Sequence, residues 1–139
     1  MTFAMDWRYA VAPGLAEFEE MAAIAWDRLP DAFRSRAGDL IIRIEDYPTD
    51  EVLDALGIDD SLGLLGLYHG VSLDRKSVLD VLSQPDMVFL YRRPLLDEWA
   101  ESGETLGDLI THVLVHEVGH HFGFSDDDMA RIEAAAGGS

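Results

Sequence analysis

The sequence contains no cysteine among its 139 residues. Disulfide bonds and thiolate ligands are therefore excluded, and any metal site has to use nitrogen and oxygen donors. Basic residues are also scarce, because 10 Lys and Arg stand against 27 Asp and Glu and leave a formal net charge of −17. This charge repels phosphate backbones and anionic lipid surfaces, so we expect neither nucleic acid nor a membrane as a partner.

Long apolar runs are missing as well. No stretch reaches 18 apolar residues, and the first residues do not form a basic region followed by an apolar segment, so neither membrane insertion nor secretion is predicted. The lack of cysteine suits a reducing compartment, and we expect a cytoplasmic protein. At this length, with 48% hydrophobic residues, the chain is predicted to form one domain, residues 1–139, and to act as a monomer.

Residues 116–120 read HEVGH and place a carboxylate between two histidines. On a helix, positions four apart share one face with Cβ atoms about 5–6 Å apart, so His116 and His120 are placed to bind one ion. Catalytic zinc takes three protein ligands and leaves a fourth position for water. Glu117 is rotated by about 100° from His116, where its carboxylate reaches that water as a general base. The spacing predicts a zinc hydrolase in which Glu117 assists the attack of a zinc-bound water.

A third ligand is expected shortly after His120. Gly123 is placed to adopt a positive φ and turn the chain at the helix end. Asp126 follows six residues after His120, so a chain that has just turned back offers its carboxylate to the ion, and Asp127 is the nearest substitute. A structural role for Asp126 stays open, because an acidic residue also stabilises the N-terminus of a following helix.

Residues 116–129, HEVGHHFGFSDDDM, resemble the signature of the small bacterial zincin-like metallopeptidases, which are related in layout to the metzincins. Segments 64–70 and 88–94 are similar to that family as well. The resemblance implies zinc as the cofactor, His116, His120 and Asp126 as its ligands, Glu117 as the general base and a peptide or protein as the substrate. Metzincins usually carry a histidine at the position of Asp126, and their methionine turn lies further downstream than Met129.

The hydrophobic pattern predicts an α+β fold, a compact zincin-like domain in which a small mixed β-sheet packs on helices that include the H-E-x-x-H helix. That helix is expected to start near Thr105 and to end at Gly123. Ser125 and Asp128 resemble a capping box that starts a last helix. The other predicted elements are helices at 15–29, 49–56 and 76–82 and strands at 40–44, 64–71 and 87–91, the last closed by Pro94.

Other side chains are candidates for supporting roles. His112 lies one turn before His116 on the same face, where it either orients that ligand or is an ordinary partly buried histidine. The candidates by residue type for a donor to the oxyanion are Tyr68, His69, Tyr91 and Arg92. One of the two late strands is expected to form a sheet edge that pairs with an extended peptide.

Two other functions stay open. A zinc-dependent endoribonuclease has a histidine-rich signature of similar appearance, but it needs a basic surface and usually a third histidine ligand, and both features are missing here. The second alternative is a catalytically idle zincin fold that binds zinc and serves as an interaction module. The intact Glu117 argues against that alternative.

Overall fold

The computed structural model describes residues 6–70 and 86–137, and this part of the chain has the α+β fold that the sequence predicts. Its helices are α1 (Leu15–Arg28), α2 (Asp31–Ala37), α3 (Asp50–Leu56), α4 (Arg92–Ser102), α5 (Leu106–His121) and α6 (Asp126–Gly137). Its strands are β1 (Ile41–Glu45), β2 (Gly66–His69) and β3 (Met87–Tyr91). The helix expected at 76–82 lies outside the described residues. None of the helices in the described ranges is long and apolar enough to cross a membrane.

The three strands form one mixed sheet in the order β1-β3-β2. The central strand β3 runs parallel to β1 and antiparallel to β2. Among the strands of residues 6–70 and 86–137, β2 therefore lies at an edge, as expected for one of the two late strands, and its pairing with a peptide stays a prediction. The N–H of Tyr91 donates to the carbonyl of Leu65 at 3.0 Å. Because backbone groups in an antiparallel pair alternate between the two sides, Gly66 and Tyr68 direct theirs away from β3, toward the side on which no described strand pairs with β2.

Helix α5 begins and ends where the sequence predicts. The side chain of Thr105 accepts a hydrogen bond from the Asp108 N–H at 3.2 Å, which satisfies one of the first N–H groups of the helix. At the other end, Gly123 has φ +77°, and the N–H of Phe124 donates to the carbonyl of Gly119 at 2.9 Å. These features form a Schellman motif, which turns the chain toward α6.

The start of α6 is also as predicted. Ser125 and Asp128 form a reciprocal capping box, in which the Asp128 N–H donates to the Ser125 hydroxyl at 3.1 Å and the Ser125 N–H donates to the Asp128 carboxylate at 3.4 Å. Both bonds lower the pKa of Asp128. Asp126 is therefore fixed in the first turn of a capped helix.

Two helices were not predicted. Helix α2 follows Pro30 directly and has only seven residues, which is too few for a clear periodic pattern. Pro94 does not close β3 as expected, because α4 starts at Arg92 and contains Pro94 in its first turn. A proline is tolerated there, since the first N–H groups of a helix have no partner within it.

Helix α5 connects two hydrophobic clusters. Its first half contributes Leu106, Leu109, Ile110, Val113 and Leu114 to a cluster with residues of α1, α4, β1 and β3. Its second half contributes Val115 and Val118 to a cluster with Leu29, Phe33, Met129 and Ala136. Since full burial of such a side chain stabilises the fold by about 1.5–3 kcal/mol, α5 is the most strongly anchored helix of the site.

Helices α5 and α6 pack closely at Gly119. Met129 is completely buried beneath this glycine, and a Cβ atom at position 119 would lie 2.5 Å from its Sδ and 2.9 Å from its Cγ. A glycine inside a helix costs about 1 kcal/mol relative to alanine. The close packing of Met129 explains why glycine occupies this position.

We expect Gly119→Ala to destabilise the protein. The added methyl group overpacks Met129, at a typical cost of about 1–3 kcal/mol, which exceeds the gain of about 1 kcal/mol in helix propensity. Gly107→Ala is the matched control in α5, because a Cβ atom there meets nothing within 4 Å. Urea unfolding of both variants checks the prediction, and a Gly119→Ala protein as stable as Gly107→Ala would contradict it.

Candidate metal centre and general base

Three of the four histidines of α5, at positions 112, 116 and 120, form a row along the helix. The rings of His116 and His120 lie 5.5 Å apart between centroids and are perpendicular to each other, while the ring of His112 lies 4.0 Å from that of His116. His116 is partly buried and His120 is exposed. Burial and the charge of His112 lower the pKa of His116 against the opposing effect of the Glu133 carboxylate. A lowered pKa favours the neutral imidazole, which is the form that binds a metal ion.

Glu117 faces the sheet instead of the row of histidines. Its Oε1 accepts a hydrogen bond of 3.2 Å from the backbone N–H of Tyr68 in β2. Burial raises the pKa of Glu117, and the Tyr68 N–H and the charge of His120 oppose that effect. A carboxylate with a raised pKa is a stronger proton acceptor near neutral pH. No other hydrogen bond to Glu117 is formed by residues 6–70 and 86–137.

Tyr68 holds this part of β2 in place through three groups. Its N–H donates to Glu117, its hydroxyl donates to Oδ2 of Asp86 at 2.6 Å, and its ring stacks on His121 at 3.9 Å. Burial and the Asp86 carboxylate raise the pKa of the Tyr68 hydroxyl. The strand also approaches α5 closely at Gly66, where a Cβ atom would lie 2.7 Å from the Val113 side chain.

Asp126 lies near the histidine row without joining it. It is the exposed first residue of α6, and its charge acts on His116 to raise the pKa of that imidazole. Asp127 is exposed as well. Among the described residues, the one group of three potential ligands whose donor atoms lie within 4.8 Å of one another is His112, His116 and Glu133. The assignment of Asp126 as the third ligand therefore stays a prediction.

Glu133 is the residue that the sequence analysis missed. Its Oε1 lies 2.8 Å from Nδ1 of His112 and 3.2 Å from Nε2 of His116. The signal was present in α6, where Glu133 follows Met129 by four residues and so lies on the same face as that buried side chain. A carboxylate on the inward face of an amphipathic helix needs a partner.

The donors at this end of α5 fit zinc. They are imidazole nitrogens and carboxylate oxygens, which zinc accepts in four-coordinate sites. Oε1 of Glu133 is buried and has no hydrogen-bond partner, although two imidazole nitrogens lie beside it. A buried carboxylate oxygen without a hydrogen bond is costly unless a cation compensates its charge, so the orphaned oxygen also favours a metal ion in this region.

Two of the oxyanion candidates are engaged elsewhere. Arg92 donates from Nε to the carbonyl of Pro13 at 2.6 Å and pairs with Asp46, and the Tyr68 hydroxyl is bound to Asp86. The third, Tyr91, is buried, and burial together with the charges of Glu45 and Glu117 raises the pKa of its hydroxyl. The fourth candidate, the exposed His69, packs edge-on against Phe89.

Comparison with known proteins identifies a family for this chain. No curated protein matches the chain. The model of one protein family, described as zincin-like metallopeptidase, matches residues 37–136. This span contains all three strands and every residue discussed above as a ligand or base. The family implies zinc as the cofactor and peptides as the substrates. The chain belongs to the zincin-like metallopeptidase family.

Proposed function

We propose that this protein is an active zinc peptidase that cleaves an extended peptide beside β2, with Glu117 as the general base. The observation that carries the proposal is the hydrogen bond from the Tyr68 N–H to Oε1 of Glu117. It joins the edge of β2 that pairs with no described strand to the carboxylate of the H-E-x-x-H segment, so a peptide paired with that edge would lie beside the base.

In this proposal His116, His120 and Asp126 would hold the zinc ion. Zinc lowers the pKa of a water molecule to about 7 and polarises a carbonyl group. The Tyr68 N–H holds one oxygen of Glu117, which leaves Oε2 to accept a proton from the attacking water and to pass it to the leaving amine. Partial burial of Glu117 favours the first transfer, because it raises the pKa of the carboxyl group and so makes the carboxylate a stronger proton acceptor.

The edge of β2 that pairs with no described strand provides the binding surface. Gly66 directs its N–H and carbonyl, and Tyr68 its carbonyl, away from β3, while the Tyr68 N–H is bound to Glu117. An extended peptide can add to the sheet as a further strand through the groups that Glu117 does not occupy. Backbone hydrogen bonds of this kind provide affinity with little dependence on sequence, and side-chain pockets then set the preference. The net charge of −17 favours basic over acidic peptides through long-range attraction.

The first test is cleavage of a diverse peptide mixture by the zinc-loaded protein, followed by mass spectrometry. Glu117→Gln is the control, because it keeps the shape of the side chain and removes the base. We expect cleavage by the wild type and a rate lower by about 10²–10⁴ in the variant, the usual contribution of a general base. Zinc stoichiometry should be the same in both proteins, since Glu117 is not a ligand.

The outcomes separate the proposed activity from its alternatives. Zinc binding without cleavage by the wild type would overturn the proposal in favour of an idle module. Equal cleavage by wild type and Glu117→Gln would assign the base to another residue.

The third ligand is tested by Asp126→Asn, with Asp127→Asn as the control. Both variants remove one negative charge from the exposed first turn of α6, so their effects on the helix should be similar. We expect only Asp126→Asn to weaken zinc binding. Loss of a residue that hydrogen-bonds to a metal ligand typically lowers the affinity by about 10–100-fold, and loss of the ligand itself should lower it further. Competition with a chromophoric chelator measures the affinities. Equal zinc affinities in the two variants would exclude Asp126 as a ligand.

Pairing of substrate with β2 is tested with N-methylated copies of a peptide that the protein cleaves. Methylation removes one backbone N–H and blocks one hydrogen bond. Because alternate residues of a strand face the same neighbour, we expect kcat/KM to fall at every second position and to change little at the positions between. A uniform effect, or none, would contradict binding as an added strand.

A further inference from the structure

Glu133 occupies an unusual position between α5 and α6. Its side chain is 27% exposed, but its Oε1 atom is buried. This oxygen lies 2.8 Å from Nδ1 of His112 and 3.2 Å from Nε2 of His116. Three donor atoms from two helices therefore converge on a small volume.

Ordinary hydrogen bonding does not account for this arrangement. Both nitrogens are close enough to Oε1 for a hydrogen bond, yet no bond with acceptable geometry is formed. Each contact is an ion pair only when its imidazole is protonated, and a buried carboxylate oxygen without a compensating charge is unfavourable. A cation placed among the three side chains would supply that charge.

We propose that His112, His116 and Glu133 form a second metal-binding position, which takes zinc through two nitrogens and one oxygen. In a tetrahedral zinc site with bonds of about 2.0–2.1 Å, neighbouring ligand atoms are about 3.3 Å apart. The distance of 3.2 Å from Nε2 of His116 to Oε1 is close to that value, and the distance of 2.8 Å from Nδ1 of His112 is shorter, so this imidazole would move outward by a few tenths of an ångström to admit the ion. A water molecule can complete the coordination, because His112 and Glu133 both line a cavity of about 670 Å³ between α1, α5 and α6.

This position differs from the proposed catalytic one in its relation to the base. It shares His116 with the H-E-x-x-H pair. A neutral imidazole has one unprotonated ring nitrogen, so His116 binds one ion at a time. Glu117 lies five residues after His112, which turns it by about 140° around the helix, and its carboxylate points to β2. An ion held by His112 and Glu133 therefore has no base beside it. Zinc at this position withdraws His116 from the catalytic pair, which makes the position regulatory.

The experiment removes the catalytic position and asks whether zinc still binds. In the His120→Ala/Asp126→Asn variant, His112, His116 and Glu133 are intact. We expect this protein to retain one zinc ion after equilibrium dialysis and to give a visible spectrum with Co²⁺. Adding Glu133→Gln or His112→Ala should lower the zinc affinity by at least about 100-fold, since each removes a direct ligand. Adding His121→Ala, a histidine of the same helix that lies outside both sets, should have little effect.

Two results would overturn this assignment. The first is a folded His120→Ala/Asp126→Asn protein that binds no zinc, with circular dichroism as the measure of folding. The second is zinc binding that survives both Glu133→Gln and His112→Ala. If the double variant does not fold, the same comparisons are made in His120→Ala alone. None of these measurements uses peptide cleavage, so the absence of peptidase activity would leave the result interpretable.

Discussion

Burial of α5 along most of its length is the constraint on which the candidate site depends. Seven apolar side chains of this helix are buried, and it contacts α1, α4, α6, β2 and β3. Neither its axial position nor its rotation can change without exposing part of that surface. The buried residues therefore determine the directions of the polar residues in its last turns. His112, His116 and His120 lie along one side, and Glu117 points toward the sheet.

That anchoring explains how a chain of this size can keep a carboxylate in a partly buried place. Burial of Glu117 is unfavourable for its charged form, and the single backbone hydrogen bond from Tyr68 compensates only in part. The remaining cost raises the pKa of Glu117, which is what a general base requires. Tyr68 is itself held by Asp86 and His121. These contacts fix the position of the Tyr68 N–H that donates to Glu117. The stability lost at this carboxylate is offset by the apolar contacts of the same helix.

The sequence predicted α5 and its caps correctly because the signals are local. Thr105, Gly123 and Ser125 act through hydrogen bonds and dihedral angles within a few residues. The spacing of His116 and His120 on one face is equally local. Helix α4 was missed for the opposite reason, since Pro94 was interpreted as a breaker although the first turn of a helix accepts proline. The place of Glu133 beside His116 depends on how α6 packs against α5, where Met129 fits beneath Gly119, and no pattern within either segment encodes that distance.

Zinc bound by the H-E-x-x-H pair beside Glu117 is the central claim, and anomalous diffraction at the zinc edge from crystals of the zinc-loaded protein tests it most directly. The account predicts one strong peak at about 2.0–2.1 Å from a nitrogen of His116 and a nitrogen of His120, with Glu117 directed toward Tyr68 and outside bonding distance of the ion. A peak that His120 does not ligate, or an ion bound directly by Glu117, would contradict the account.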